Sequence, residues 1–342
     1  MNRDSLGCDC DMRSSKFPVI EFENNINGPI DVFICCGSFE ARCRTVADKL
    51  LPANVQHVLV VENKNLSAYV GENAKYLRDK FGAKTVDIAT DSTNSVLTAD
   101  NLQNALKEIS SGKPQSFLVD ITTFRHESLL ILLHLLYLST KSTDTILLIY
   151  TTASDYSVGD AVENKWLSKG IEKVRTVLGY PGDISPSNKM HLILLVGFEY
   201  QRASKLIEIL EPSIISMGSG AMQSSTDDKH VASQEFFSNL LRRITATHGN
   251  VNWFEFSCND PISTKNAILM QKQKYPSYNT LVAPMNTKLS TIGAGLATFE
   301  DSRIQICYTQ ATQYNYQGYS SPGTNFYLFE LPREVDKTSK SH

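Results

Sequence analysis

Two stretches of the chain, 37-GSFEARCRTVADKLLP-52 and 197-GFEYQRASKLIEILEP-212, share one layout. Each follows an apolar run (Val32 to Cys36; Leu192 to Val196) and opens on Gly. Each places Arg five residues on (Arg42, Arg202) and closes on Pro fifteen residues on (Pro52, Pro212). An apolar strand running into Gly and an amphipathic helix is common to all parallel α/β domains, so this match alone proves little. Two further matches in the same order make it a repeat.

The segment 118-LVDITTFRHESLLILLH-134 aligns without gaps on 281-LVAPMNTKLSTIGAGLA-297, setting basic Arg125 on basic Lys288. The segment 146-ILLIYTTASDY-156 aligns on 304-IQICYTQATQY-314, sharing Ile, Tyr-Thr, Ala and Tyr at identical offsets. The spacing agrees as well: Gly37 lies 88 residues before Arg125, and Gly197 lies 91 before Lys288. The fold class that follows is α/β, with two tandem Rossmann-like units, mostly parallel sheets and internal duplication.

Working outward, strands are predicted at Asp31–Cys36, His57–Glu62, Thr85–Ala89, Phe117–Ile121 and Thr145–Thr151. Helical patterns over Glu40–Leu51, Ser67–Phe81, Ala99–Ser110 and His126–Ser139 fall between them. This alternation is the mark of a parallel sheet covered on both faces. Residues 160–178 read as a helix running into a strand, and the Gly/Pro/Ser-rich loop 179-GYPGDISPSNK-189 as the boundary.

The alternation then restarts. Strands are predicted at His191–Val196, Ile214–Met217, Val251–Cys258, Thr280–Ala283 and Ile304–Thr309, and helices at Gln201–Leu210, Gln234–Thr247, Thr264–Lys274 and Leu289–Phe299. A last strand, Asn325–Leu331, is expected to return antiparallel at a sheet edge. The expected division is a loose arm over 1–28 with one short strand at Pro18–Phe22, units over 29–184 and 185–334, and a disordered tail over 335–342.

Bulk properties bound the function. The chain has 342 residues, 42% hydrophobic and 20% charged, with a formal charge of −3, as in soluble globular proteins. The pI near 6.2 argues against a broad nucleic-acid groove. No apolar run is long enough to span a bilayer, and the N-terminus lacks a signal-like core, so a cytoplasmic location is expected. Seven cysteines, several inside strand-like runs, read as buried hydrophobes rather than a disulfide framework.

Ligands of open parallel sheets gather at the carboxyl ends of the strands, and all three repeated segments occupy that edge. Gly37 and Gly197 end the first strands, where Gly permits a tight turn or close approach to a ligand. Arg42 and Arg202 fall early in the next helix, where they either meet an anion or pair with Glu40 and Glu199. Arg125 and Lys288 stand at helix starts after the fourth strands, a position that favours anions. Polar neighbours there are Asp120, Thr122 and Thr123 in one unit and Asn286 and Thr287 in the other. Tyr150-Thr151 and Tyr308-Thr309 read as ordinary strand ends.

Other chemistry is thin. No G-x-G-x-x-G follows either first strand, which excludes dinucleotide binding of the familiar kind. Glu62, at the end of a second strand, stands where a carboxylate can hold a ribose. The loop 217-MGSGAMQSS-225 is a weak phosphate signal. The seven histidines lack zinc-hydrolase spacing, so no metal is expected, nor any cofactor. Cys8 and Cys10 would need ligands from elsewhere. His126 beside Arg125 is a weak candidate acid or base, and His134 reads as a core histidine.

The organisation, with segments such as DITTFRHE and APMNTKLS, resembles the CARF and SAVED sensor domains of prokaryotic antiviral systems over about residues 29–333. That resemblance implies two facing units holding a cyclic oligonucleotide in a shared cleft, and a signal passed on to an effector. It puts Gly37, Ser38, Arg42, Thr122, Arg125, Gly197, Arg202, Asn286 and Lys288 at the cleft. No effector domain is recognisable, so a partner effector protein is implied. Three functions stay open: a sensor of nucleotide-like anions, an enzyme acting on a phosphorylated substrate in the same cleft, and an interaction subunit. For the last, the tyrosine-rich tip 314-YNYQGYSSPG-323 would serve as an interface.

Overall fold

The computed structural model describes residues 14–63, 67–158, 160–161, 164–221, 236, 238–243 and 245–332. Cys8, Cys10, the tail over 335–342 and the end of the 217–225 loop lie outside the described residues.

The first unit runs β1 (Ser14–Pro18), α1 (Phe22–Asn25), β2 (Ile30–Gly37), α2 (Thr45–Lys49), β3 (Val55–Asn63) and α3 (Ser67–Phe81). It continues through β4 (Thr85–Thr90), α4 (Ser95–Ile109), β5 (Ser116–Asp120), α5 (His126–Ser139) and β6 (Thr145–Tyr156). Of the helix running into a strand expected over 160–178, the strand is present as β8 (Lys173–Pro181), with the short strand β7 (Ser168–Lys169) before it in place of an α-helix. The second unit runs β9 (Met190–Val196), α6 (Tyr200–Leu210), β10 (Ile214–Gly220), β11 (Val251–Phe256), α7 (Pro261–Gln273) and β12 (Asn279–Met285). It closes with α8 (Lys288–Glu300), β13 (Gln305–Gln310), β14 (Gln313–Tyr314) and β15 (Ser320–Glu330).

The two sheets repeat one topology. The first is ordered β1-β15-β6-β5-β2-β3-β4 and the second β11-β10-β9-β12-β13-β8. Numbered within each unit, the five parallel strands run 3-2-1-4-5 twice, the doubly wound order with its switch point between strands 1 and 4. Duplication therefore extends to tertiary structure. Two similar bonds cross its switch points. Thr123 Oγ1 donates to the Cys36 carbonyl at 2.8 Å, and Asn286 Nδ2 donates to the Val196 carbonyl at 2.7 Å.

The division in space differs from the division along the chain. β8, from the end of the first unit, pairs antiparallel with β13 in the second sheet. β15, from the end of the second unit, pairs antiparallel with β6 in the first. Each half thus lends its last strand to the other. β15 is not an edge, because β1 pairs on its far side. The predicted arm strand over Pro18–Phe22 lies earlier, at Ser14–Pro18, and a helical turn takes its place. The predicted helix over Glu40–Leu51 is shortened to a 3₁₀ turn and one α turn.

Burial of both sheet faces explains the unbroken apolar strands. Along β2, Val32 and Ile34 face the central core, while Phe33 and Cys35 face α2 and α3. Along β9, Ile193 and Leu195 face the centre, and Leu192 and Leu194 face α6. The central core is continuous across both units, joining Val119 and Leu148 to Val282 and Ile306. Within it α5 and α8 run side by side in the same direction. His126 meets Thr291, Leu130 and Leu133 meet Gly295, and Tyr137 stacks on Phe299 with centroids 4.2 Å apart. A Cβ on Gly295 would stand 2.5 Å from Leu133 Cδ2, so glycine sets how closely the two helices approach. Both helices consequently open towards the same end of the molecule.

Candidate functional site

At that end the two switch points face one cavity of about 150 Å³. The walls come from the ends of β2 and β9 (Gly37, Ser38; Gly197, Phe198) and the turns into α5 and α8 (Thr123 to His126; Asn286 to Lys288). Tyr150 and Tyr156 of β6, Tyr308 of β13 and Tyr314 of β14 add hydroxyls.

Of the nine positions assigned to the cleft, Gly37, Ser38, Arg42, Arg125, Gly197, Arg202, Asn286 and Lys288 line the cavity. Thr122 does not. It is wholly buried, its hydroxyl donating to Asp120 and accepting from the Thr151 N–H at 2.9 Å. Gly37 is required for packing, because a Cβ there would lie 2.8 Å from Ala74 Cβ. Ser38 Oγ is turned to its own loop, accepting from the Glu40 N–H at 3.2 Å. Glu62 pairs with Arg78 at 3.0 Å and stands outside the walls.

The four lining cations divide into two kinds. Arg42 is buried and neutralised: its Nη2 lies 2.6 Å from Glu40 Oε2, and its Nε donates to Ser320 Oγ at 2.9 Å. Its Nη1 reaches the Thr151 carbonyl at 3.1 Å. Arg202 repeats the pattern, pairing with Glu199 and donating to Ser168 Oγ at 2.8 Å and to the Thr309 carbonyl. Ser320 belongs to the strand lent to the first unit, and Ser168 precedes the strand lent to the second. Each buried Arg–Glu pair therefore clamps the exchanged segment of the other half. The pairing alternative weighed for these arginines is the one found, in the interior instead of on the surface.

Arg125 and Lys288 are the other kind. Arg125 is the N-cap residue of α5, and no side chain caps that helix start. Its Nη2 donates to Tyr308 Oη at a long 3.4 Å, and its buried Nε has no partner. Lys288 is the first residue of α8, whose N-cap Thr287 accepts from the Ser290 N–H. Among the described residues neither Arg125 nor Lys288 meets a carboxylate.

His126 lies between them, its Nδ1 2.5 Å from Thr291 Oγ1 of α8. Burial, with Lys288 and Arg202 nearby, holds its imidazole well below the usual range. Its imidazole is thereby held in the neutral form. Cys36 and Cys307 also line the walls. Burial pushes both thiols up, Cys307 to about 12, which leaves neither a ready nucleophile. Among the described residues no cluster of His, Cys, Asp and Glu is placed to hold a metal.

The tyrosines are where sequence reading fell short. Tyr150 Oη meets Tyr156 Oη at 2.9 Å, and Tyr308 Oη meets Tyr314 Oη at 3.5 Å. These are the residues that recur at identical offsets in the third repeat pair, so their signal was present. The tip 314–323 is folded in: Tyr314 and Tyr319 line the cavity, and Tyr316 packs edge-on against Phe39 at 5.0 Å. His134 packs against Tyr180 and Phe299, with its Nδ1 unbonded.

No family model and no curated protein matches the chain. Solved structures give distant likenesses. One is a phosphoethanolamine N-methyltransferase of Haemonchus contortus, at 7% identity over 92% of this chain and 90% of that one, with a TM-score of 0.27. A putative S-adenosylmethionine-dependent methyltransferase of Listeria monocytogenes matches at 13% identity over 44% and 58%, with a TM-score of 0.23. The match to mitomycin 7-O-methyltransferase has 11% identity and a TM-score of 0.21, covers 37% of this chain and spans about a third, 32%, of that enzyme's length. At these values the likenesses carry no argument about activity, and the α/β doubly wound assignment rests on strand order. No helix among the described residues is long and apolar enough to cross a membrane.

Proposed function

We propose that the protein is a sensor that binds a phosphate-bearing, nucleotide-like molecule in the cavity between its two units. One contrast supports this reading: Arg42 and Arg202 each have a carboxylate partner, whereas Arg125 and Lys288 have none among the described residues. A part-buried cation without a counter-charge is unfavourable, and two at repeat-equivalent helix starts double the penalty. An anion reverses it through charge-assisted hydrogen bonds and the open N–H groups of α5.

Because the ligand touches both units, its affinity would depend on how closely they approach, which is the requirement for transmitting a signal. The resemblance to CARF and SAVED sensors extends the proposal to antiviral signalling through a partner effector. It makes cyclic oligonucleotides the first ligands to try.

The test is to unfold the purified protein, identify any small molecule released, and titrate it back by calorimetry and thermal shift. Ligand at a hundred times Kd should stabilise the fold by about 2.7 kcal/mol. Arg125→Ala and Lys288→Ala should each weaken binding about tenfold or more. Binding unchanged in both variants defeats the proposal, and a ligand recovered chemically altered replaces sensing with catalysis.

A further inference from the structure

Among the described residues, the cavity is less symmetric than the fold around it. On the first unit it reaches beyond the switch point, over the ends of β3 and β4, where Asn63, Thr90 and Val70 line it. All three are nearly buried, at 5%, 5% and 2% exposure, so this lobe is an inner recess and not open surface. Its polar groups are uncharged, an amide and a hydroxyl, beside an apolar wall.

Strand register locates the matching ground in the second unit. Asn63 pairs with Thr90 one step past the Glu62–Ala89 pair, and Glu62 lies opposite Gly37. Leu118 pairs with Phe33 and its counterpart Leu281 with Leu192, so Gly37 corresponds in space to Val196, which lies opposite Ser219. The positions matching Asn63 and Thr90 are the paired Gly220 and Phe256. Neither lines the cavity among the described residues. Gly220 has no side chain, and the buried Phe256 sets an apolar ring where Thr90 has its hydroxyl. Behind them space is closed: a Cβ on Gly218 would stand 2.8 Å from Phe254 Cζ and 2.9 Å from Phe256 Cδ1.

We infer that the cavity takes an asymmetric ligand, a nucleoside diphosphate-like molecule. Its two anionic groups lie on Arg125 and Lys288, and its single nucleoside enters the first unit's lobe against Asn63, Thr90 and Val70. The inference rests on the anion-binding reading above and adds the ligand's shape. Two cations without carboxylate partners match two phosphates, and one recess with uncharged donors and acceptors matches one sugar and base. A two-fold cyclic dinucleotide would need the same recess in the second unit, where phenylalanine rings stand.

Calorimetry on the full chain separates the two levels, using inorganic pyrophosphate, ADP, GDP and a two-fold cyclic dinucleotide as probes. At least one nucleoside diphosphate should bind tenfold or more tighter than pyrophosphate and tighter than the cyclic dinucleotide. Val70→Phe, which fills the lobe, should bring that nucleotide down to the pyrophosphate level and leave pyrophosphate itself unchanged. Retained pyrophosphate binding also shows that the variant is folded, and Thr90→Val provides a milder second change in the same direction. The inference falls if pyrophosphate binds but nucleosides add nothing, if Val70→Phe spares nucleotide binding, or if the cyclic dinucleotide binds best. If pyrophosphate and nucleotides all fail to bind, the anion-binding reading falls with it.

Discussion

Asp120 closes β5 with its carboxyl buried, Oδ1 accepting from the Thr122 N–H at 3.0 Å and from the Thr122 hydroxyl. Burial, opposed by those two bonds and by Arg42, raises its pKa from 3.8 to about 7. The folded chain then keeps a proton that the unfolded chain loses at much lower pH. Between those two values the folded state binds more protons, so stability is present at low pH and is lost as pH rises towards 7. A shift of about three units corresponds to about 4 kcal/mol in total, of which about 2–3 kcal/mol should appear between pH 5 and 8. Asp120→Asn keeps the accepting oxygen and removes the titration. Urea unfolding of both proteins at pH 5 and pH 8 isolates the effect, because contributions shared by wild type and variant, including those of the histidines, cancel. The variant's advantage should grow by about 2–3 kcal/mol at the higher pH. A difference between the two proteins that does not change with pH would refute the account of a carboxyl forced into neutrality by burial.

Three other outcomes are expected. Glu199→Gln should lower stability by about 3–5 kcal/mol in urea unfolding, because it strands the buried Arg202 charge, while pyrophosphate binding tightens as that charge becomes available; unchanged stability would contradict the clamp. Gly295→Val should cost about 1–3 kcal/mol by overpacking α5 against α8, read as a fall in the urea midpoint, and no fall would mean the helices are not in close contact. A fragment covering residues 14–184 should lack a cooperative melt when expressed alone, since β6 loses β15 and β8 loses its sheet, and co-expression with 185–332 should restore it. A fragment that folds alone would show that the exchange of strands is dispensable.

Much of the cavity was legible in the chain because duplication doubled each weak signal. A single Arg after a strand says little, but Arg125 and Lys288 at aligned positions of two units mark the same strand edge twice. The same device was available for Tyr150, Tyr156, Tyr308 and Tyr314, and it went unused because a tyrosine ending a strand has an ordinary explanation. Arg42 and Arg202 show the limit from the other side. Their pairing with Glu40 and Glu199 is local and was foreseeable, yet Ser320 lies 278 positions from Arg42 and carries no mark of its destination.

Local pattern was enough to establish alternating strands and helices, the two-fold repetition and the strand edge at which the cavity lies, since each depends on hydrophobic period and residue order over short windows. It was not enough for the exchange of β8 and β15, which pair antiparallel with β13 and β6 of the opposite halves. A strand with one apolar face satisfies its own sequence beside either sheet, and only the packing of the whole chain chooses between them. The same packing settles which cations are neutralised, because a counter-charge is a matter of distance in space, and among the described residues it leaves Arg125 and Lys288 without one.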